Sequence, residues 1–350
     1  MTTTLSAGKL WGLRRMADAN GRFKMTAVDQ RPPIKKPIAE KRGLKEAPWE
    51  DVAGFKELLI ETLQADSSAM LLDPHFAYPR GVMMLSPAKG LILTLEDSLF
   101  KETPGGRLSA EIDNWSVEKI KRCGGDAVKV LAWHHPEADA SVTRHQKDFV
   151  ARVGSACAKY DIPYVFELLL YPLAKDAEQT RDYVEMKTKR PQLVVDSVAT
   201  FAHPDYGVDL FKLESPIPAD LVPSPGEEGA AEAQRWFDAL GQAAGRPWVM
   251  LSAGAGMSEF RNILAYAYKA GASGYLAGRA IWAKAFQHFP DWTAIRAGLE
   301  SDAAASVREL NALTDKTALP WTRHACYGEG GPRVLPADHR FRHDYKGFQS

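Results

Sequence analysis

A single (β/α)8 barrel is the fold this sequence predicts, and three observations predict it. Short apolar runs alternate with longer stretches of helical period, the pattern of parallel strands joined by helical crossovers. The runs number about eight, which is the count of β/α units that closes on itself. None of them ends in the GxGxxG turn of a dinucleotide-binding open sheet, the competing architecture. The 350 residues exceed the roughly 250 of a bare barrel. The excess is read as a long loop at 32–50 within one domain over 1–322, and a C-terminal extension over 323–350.

Taken in order, the expected strands are 23–28, 69–72, 90–95, 127–131, 164–168, 210–214, 247–251 and 274–277. Val52, Phe55, Leu59 and Leu63 share one face of a helix before the second strand, and Phe149, Val153 and Cys157 do the same before the fifth. Residues 230–244 and 257–270 read as amphipathic helices after the sixth and seventh strands, and 176–187 as a helical segment inside a long connection. The 32–50 stretch is Pro-rich and locally basic, and is read as a loop at the catalytic end, serving as a lid, a subunit contact or a solvated surface. The tail has charge, Gly and Pro but little periodicity, so a surface-wrapping extension is expected.

Charge and composition exclude several classes of function. Lys plus Arg balances Asp plus Glu at 44 each, which argues against a nucleic-acid or anionic-membrane partner. Three cysteines without a CxxC pair indicate neither a disulfide scaffold nor a zinc knuckle and fit a reducing compartment. The first residues lack the apolar run of a signal peptide, and no stretch reaches the length of a membrane span, so the cytoplasm is the expected location.

Barrel chemistry lies at the C-terminal ends of strands, and unusual polar residues stand there. Asp29, Lys129, Glu167 and Lys212 come from four strands that read otherwise as buried, so a closed ring brings them to one centre. A buried ammonium without a partner is costly, which makes an inward lysine paired, neutral or chemically employed. The last two strands run into Ser252-Ala253-Gly254-Ala255-Gly256 and Gly278-Arg279. Glycines let backbone N–H groups approach an anion, and an arginine can fork onto phosphate oxygens.

At pH 7 only roughly 0.04 % of an unperturbed lysine is the neutral amine. Burial with a second cation close by, Lys129 being the candidate, is expected to free the lone pair of Lys212. The amine would attack a ketone, lose water and leave an iminium that draws electrons from the adjacent carbon–carbon bond. Glu167 is the expected proton carrier, with Asp29 as the second candidate.

DQR at 29–31, SSAMLLDP at 67–74, GGDAVKVL at 124–131, DIPYVFELLLY at 161–171, GVDLFKLESP at 207–216, LSAG at 251–254 and AGRAIW at 277–282 resemble the tagatose 1,6-bisphosphate aldolases. The resemblance runs in register through most of the chain. It implies a class I aldolase barrel without cofactor or metal, with Lys212 forming the Schiff base and Glu167 moving protons. It also implies that Asp29, Gln30 and Lys129 touch the sugar, and that Ser252, Gly254, Gly278 and Arg279 hold the phosphate of the dihydroxyacetone half. The expected partner is a phosphorylated ketose, and a homo-oligomer is expected. Related enzymes that cleave a sulfonated ketose phosphate share the catalytic set. The sequence departs from the family at Pro32, where glycine is usual, and at Leu131-Ala132-Trp133-His134-His135, where tyrosines are common. These departures bear on the far end of the substrate.

Two rivals stand beside this reading. A metal-dependent barrel enzyme would draw on Asp73, His75, His134 and His135 near strand ends. A sugar-phosphate sensor would keep the barrel and bind without turnover.

Overall fold

The computed structural model describes residues 3–173, 190–334 and 338–345. Eight parallel strands form a closed barrel. They are β1 (Phe23–Ala27), β2 (Ala69–Leu72), β3 (Gly90–Thr94), β4 (Ala127–Trp133), β5 (Tyr164–Leu169), β6 (Leu210–Leu213), β7 (Trp248–Met250) and β8 (Gly274–Ala277). Each strand pairs with its neighbours in the chain, and β8 closes on β1 with Phe23 opposite Gly274 and Thr26 opposite Ala277. Closure leaves no strand edge unpaired. The strands lie where the sequence places them, with ends that differ by at most two residues, as where β4 runs on to Trp133.

Because successive strand residues face opposite sides, alternate positions fill the barrel and the others pack under the helices. The outward set includes Met70, Leu93, Val130, Phe166, Phe211 and Trp248, buried together with Val52, Phe55, Leu59 and Leu63 of the helix Trp49–Leu63. The inward set is layered. At the bottom, Phe23, Met25, Ala69, Ile92, Ala127, Val165, Leu210 and Val249 form an apolar floor. Two residues further along three of these strands come Lys129, Glu167 and Lys212, all buried. Above them Leu131, Trp133, Leu169, Tyr171 and Leu251 form a second apolar layer at the mouth. The charged layer is thus enclosed by hydrocarbon below and above, which removes water from it and strengthens its internal electrostatics.

The expected loop at 32–50 is largely helical. Pro32–Arg42 forms a helix that buries Ile34 and Ile38, one turn apart, and Trp49 already opens the next helix. Pro32 and Pro33 occupy its first two positions, where a missing N–H breaks no helical bond, so the proline content that reads as loop is compatible with a helix start. A two-stranded hairpin, Lys101–Thr103 with Gly106–Leu108, follows β3 and carries the buried Arg107 against the rings of Phe100, Trp133 and Tyr171. The helical segment expected at 176–187 lies outside the described residues.

The end of the barrel domain and the start of the C-terminal extension pack on the barrel floor. Trp321 and Tyr327 are buried with Leu13 and Met16 of the helix Ala7–Met16, closing the N-terminal mouth. Val334 then bridges to Leu5, and Tyr345 donates to Asp161 and accepts from the Ala7 N–H.

Candidate active site

Lys212 stands at the third residue of β6, directly beside Glu167 of β5 in the strand register. Its Nζ lies 2.9 Å from Glu167 Oε2, and Lys129 Nζ lies 2.7 Å from the same oxygen. Lys129 also donates to Asp29 at 2.9 Å and to Glu96 at 2.6 Å. Asp29, Lys129, Glu167 and Lys212 are 6, 2, 1 and 4 % exposed. The sequence logic behind this is the period of two. Ala127, Lys129 and Leu131 on β4 and Val165, Glu167 and Leu169 on β5 step inward through floor, centre and mouth.

Burial disfavours every charge here, and the neighbours decide the outcome. For Lys129 burial is outweighed by Asp29, Glu167 and Glu96, which hold its ammonium well above the ordinary lysine range. Burial would also raise Asp29 and Glu167, but Lys129 and Lys212 outweigh it and keep both carboxyls below their usual values. At Glu96 burial wins over Lys129 and Arg31, so its carboxyl is raised. The expectation that Lys129 acts on Lys212 as a bare neighbouring cation is corrected accordingly. Glu167 stands between the two ammonium groups, and two further carboxylates hold Lys129, so its charge is compensated by three carboxylates. Glu214, two places beyond Lys212, accepts the Leu170 backbone N–H.

The loop after β7 is strained at Ala253 and turns sharply at Gly254, with φ of 47° and 90°. The Arg279 guanidinium lies 3.3 Å from the point a Cβ on Gly254 would occupy, so the arginine packs closely on this loop, whose φ of 90° suits a glycine. Ser252 is buried at the start of this loop. At the end of β8 a Cβ on Gly278 would come within 2.6 Å of Gln30 Nε2 and 2.7 Å of the Ala27 carbonyl. Gln30 therefore packs directly on the strand end that leads to Arg279. Its Oε1 is buried and has no hydrogen-bond partner in the structure.

The family model described as "DeoC/LacD family aldolase" matches residues 23–284. The chain belongs to the DeoC/LacD aldolase family. It is 31 % identical over 325 residues to a tagatose 1,6-diphosphate aldolase of Listeria monocytogenes, covering 91 % of this chain and 94 % of that protein. To tagatose 1,6-diphosphate aldolase 2 of Enterococcus faecalis it is 31 % identical over 336 residues, covering 93 % and 99 %. Among solved structures, an archaeal fructose 1,6-bisphosphate aldolase superposes with a TM-score of 0.55 at 18 % identity, covering 87 % of this chain and 97 % of that one. A fructose-bisphosphate aldolase from Plasmodium falciparum gives 0.61 at 14 %, covering 95 % and 98 %. These structural likenesses concern the barrel fold. The protein is an aldolase, a carbon–carbon lyase.

Two residues of this aldolase's centre escape the sequence reading. Glu96 lies just past β3 and looks like the polar start of a loop, with Asp97 after it. The signal was its parity, since Ile92 faces the floor and Thr94 and Glu96 continue that inward step, with the Thr94 hydroxyl donating to Glu96. Arg31 was visible only as part of a motif, and its Nη2 donates to the Glu96 carbonyl. Asp73, His134 and His135 of the metal rival are engaged with other partners. Asp73 is paired with the buried Lys56 and caps the following turn through the His75 and Phe76 N–H groups. His134 Nδ1 is bonded to the Ser197 hydroxyl, and His135 Nδ1 accepts from the Glu137 N–H. Among the described residues, no group of three or more His, Cys, Asp or Glu side chains could hold a metal ion.

Proposed function

We propose that this aldolase cleaves a ketose 1,6-bisphosphate, tagatose 1,6-bisphosphate being the first candidate, through a Schiff base on Lys212. The observation that carries the reading is the pairing of a buried Lys212 Nζ with a carboxylate 2.9 Å away that a second ammonium also holds. The relatives named as tagatose 1,6-diphosphate aldolases support the substrate class. The described residues include no helix long and apolar enough to cross a membrane, which fits our inference of a cytoplasmic enzyme.

The chemistry follows from the charges. Lys212 passes its proton to Glu167, and the neutral amine adds to the C2 carbonyl, its own N–H proton moving to the carbonyl oxygen to give a carbinolamine. One of the two cations that depress Glu167 is then gone, so Glu167 holds the proton it has received until the step that needs an acid. It delivers a proton to the leaving hydroxyl, water departs, and the nitrogen lone pair closes the iminium. A base, Glu167 or Asp29, takes the proton of the C4 hydroxyl. The C3–C4 electron pair moves into the iminium, and glyceraldehyde 3-phosphate leaves as the aldehyde. Protonation of the enamine at C3 and hydrolysis release dihydroxyacetone phosphate and restore the amine. Ser252, Gly254, Gly278 and Arg279 are assigned to the phosphate of the dihydroxyacetone half, with Gln30 against the sugar.

Borohydride in the presence of dihydroxyacetone phosphate should trap a covalent adduct, located by mass spectrometry at Lys212 and absent from Lys212→Ala. Glu167→Gln should slow cleavage by about 10²- to 10⁴-fold, the usual contribution of a positioned acid/base group. Arg279→Ala should act mainly on KM. Cleavage that proceeds normally in Lys212→Ala would overturn the assignment. Wild-type protein that binds ketose phosphates but turns none over would favour a sensor.

A further inference from the structure

Lys56 is a buried lysine that the chemistry above does not use. On the helix Trp49–Leu63 it falls in line with Val52, Leu59 and Leu63, at intervals of three and four residues, on the face that packs against the outside of the barrel. Lys56 is fully buried there, as is Asp73 just past β2. Its ammonium is paired with the Asp73 carboxylate and donates to the Val28 carbonyl at 2.8 Å. The centre of the Phe76 ring lies 5.9 Å from Nζ. Burial outweighs the attraction of Asp73 and sets this ammonium below the ordinary lysine range. Packed hydrocarbon would hold helix and barrel as well as such a pair does, since desolvation offsets much of the attraction between buried charges. What hydrocarbon cannot do is donate to a carbonyl.

The carbonyl in question is the one before Asp29. The Val28 N–H donates to the Leu71 carbonyl at 2.8 Å, which carries the ladder between β1 and β2 past the end of β1. The Val28 carbonyl and the Asp29 N–H belong to one planar peptide unit, so a bond that fixes the carbonyl also fixes the direction in which Asp29 leaves the strand. Asp29 Oδ2 then meets Lys129 Nζ at 2.9 Å, inside the reacting cluster. Asp73 is anchored in its turn. Its Oδ1 accepts from the His75 and Phe76 N–H groups, each at 2.9 Å, and its backbone carbonyl accepts from the Tyr78 N–H. A chain of contacts thus runs from the turn after β2, through Lys56 on the helix, to the peptide that carries Asp29.

We propose that Lys56, held by Asp73, is a positioning residue for Asp29: by fixing the Val28 carbonyl it aims the Asp29 carboxylate at Lys129 and at the hydroxyls of the bound sugar. The assignment rests on the reading above, in which Asp29 touches the sugar, and adds to it the device that sets the geometry of that carboxylate. Lys212 and Glu167 stand on β6 and β5, outside this chain of contacts. Lys56 therefore serves the cleavage step rather than the formation of the Schiff base.

Lys56→Met alone leaves a buried carboxylate without its partner and is expected to fold poorly. Lys56→Met with Asp73→Asn removes both charges and keeps an oxygen for the His75 and Phe76 N–H groups. In this double variant, borohydride with saturating dihydroxyacetone phosphate should label Lys212 to the wild-type extent. Ketose bisphosphate cleavage per labelled site should nevertheless lose about 10- to 100-fold in kcat, the scale of a misplacement of about 1 Å. Labelling that falls in step with kcat would show a merely structural role, and a kcat per site within about twofold of wild type would show none; either overturns the proposal. The same two changes made on an Asp29→Asn background test the route. Asp29→Asn alone should slow cleavage, and the pair should then cost less than about twofold more, because residues that act through one group are not additive. Equal costs in the two backgrounds, or an Asp29→Asn enzyme as fast as wild type, would reject an action through Asp29. If borohydride labels nothing in the wild type while ketose is still cleaved, the Schiff-base reading fails, and the comparison of the two backgrounds in kcat/KM still decides for or against Lys56.

Discussion

Lys129 holds its charge within a shell of three carboxylates, Asp29, Glu96 and Glu167, with Lys212 and Arg31 completing a cluster whose formal charges sum to zero when all are ionised. Such a cluster is weak evidence for stability, because desolvation offsets much of the attraction, but removing its central member leaves anions without compensation. Lys129→Met should therefore destabilise the barrel by about 3–5 kcal/mol in urea unfolding at neutral pH. The sign of its pH dependence also follows. Without Lys129 the buried carboxyls have folded-state pKa values raised above those of the unfolded chain, so the folded state takes up protons first as pH falls. The deficit against wild type should shrink on acidification through the carboxylate range, and a deficit that grows instead would mean that Lys129 is not what keeps Asp29 and Glu167 ionised.

His134, just past the end of β4, makes a polar contact between a strand end and a surrounding helix. It is buried against the Phe201 ring and the Ser197 hydroxyl of the helix Pro191–Phe201, and burial pushes its imidazole down to about 4. Folding thus keeps it neutral where the unfolded chain would bind a proton. Its favourable state is fully present above the unfolded value near 6.5, and stability is lost as pH falls from there toward about 4. His324, also pushed down to about 4 by burial, acts in the same window. His134→Gln should flatten the loss of melting temperature between pH 7 and 4 without removing it, and an unchanged slope would assign the acid sensitivity elsewhere. This histidine also marks the limit of what could be read in advance. The eight strands were legible because apolar runs of four to six residues have few alternative folds once no nucleotide loop is present. Lys212 and Glu167 were legible because a charge inside such a run is anomalous. Glu96 was not, since it sits one step past its strand where polarity is normal. Nor was the role of Lys129, because sequence tells which strand a residue is on but not which carboxylate stands between it and its neighbour. The helix after Arg31 was hidden by its prolines, whose meaning depends on their place within the first turn.

The whole molecule separates chemistry from closure along the barrel axis. Charged and glycine-rich features gather beyond the C-terminal ends of the strands, whereas the opposite mouth is sealed by Leu5, Leu13, Met16, Trp321 and Tyr327 around the apolar floor. The two termini are joined across that seal. Thr3 N–H donates to the Cys326 carbonyl at 2.7 Å, Leu5 bridges to Val334, and Asp161 accepts from Ser6, from the Gly8 and Lys9 N–H groups and from Tyr345. Asp161 thereby caps the first turn of the helix Ala7–Met16, and the capping and hydrogen-bonding groups keep its carboxyl below its ordinary value against the effect of burial. Deletion of residues 334–350 removes the bridge and Tyr345 but leaves Trp321 and Tyr327 in the floor. It should lower the melting temperature by a few degrees while kcat/KM stays within about twofold, because features at the N-terminal face of a barrel serve stability. Replacing Tyr345 by Phe, which keeps the ring and removes the hydroxyl that bonds Asp161 and Ala7, should reproduce part of the loss. Activity that falls in the truncated protein at unchanged melting temperature would show that the last residues reach the catalytic end.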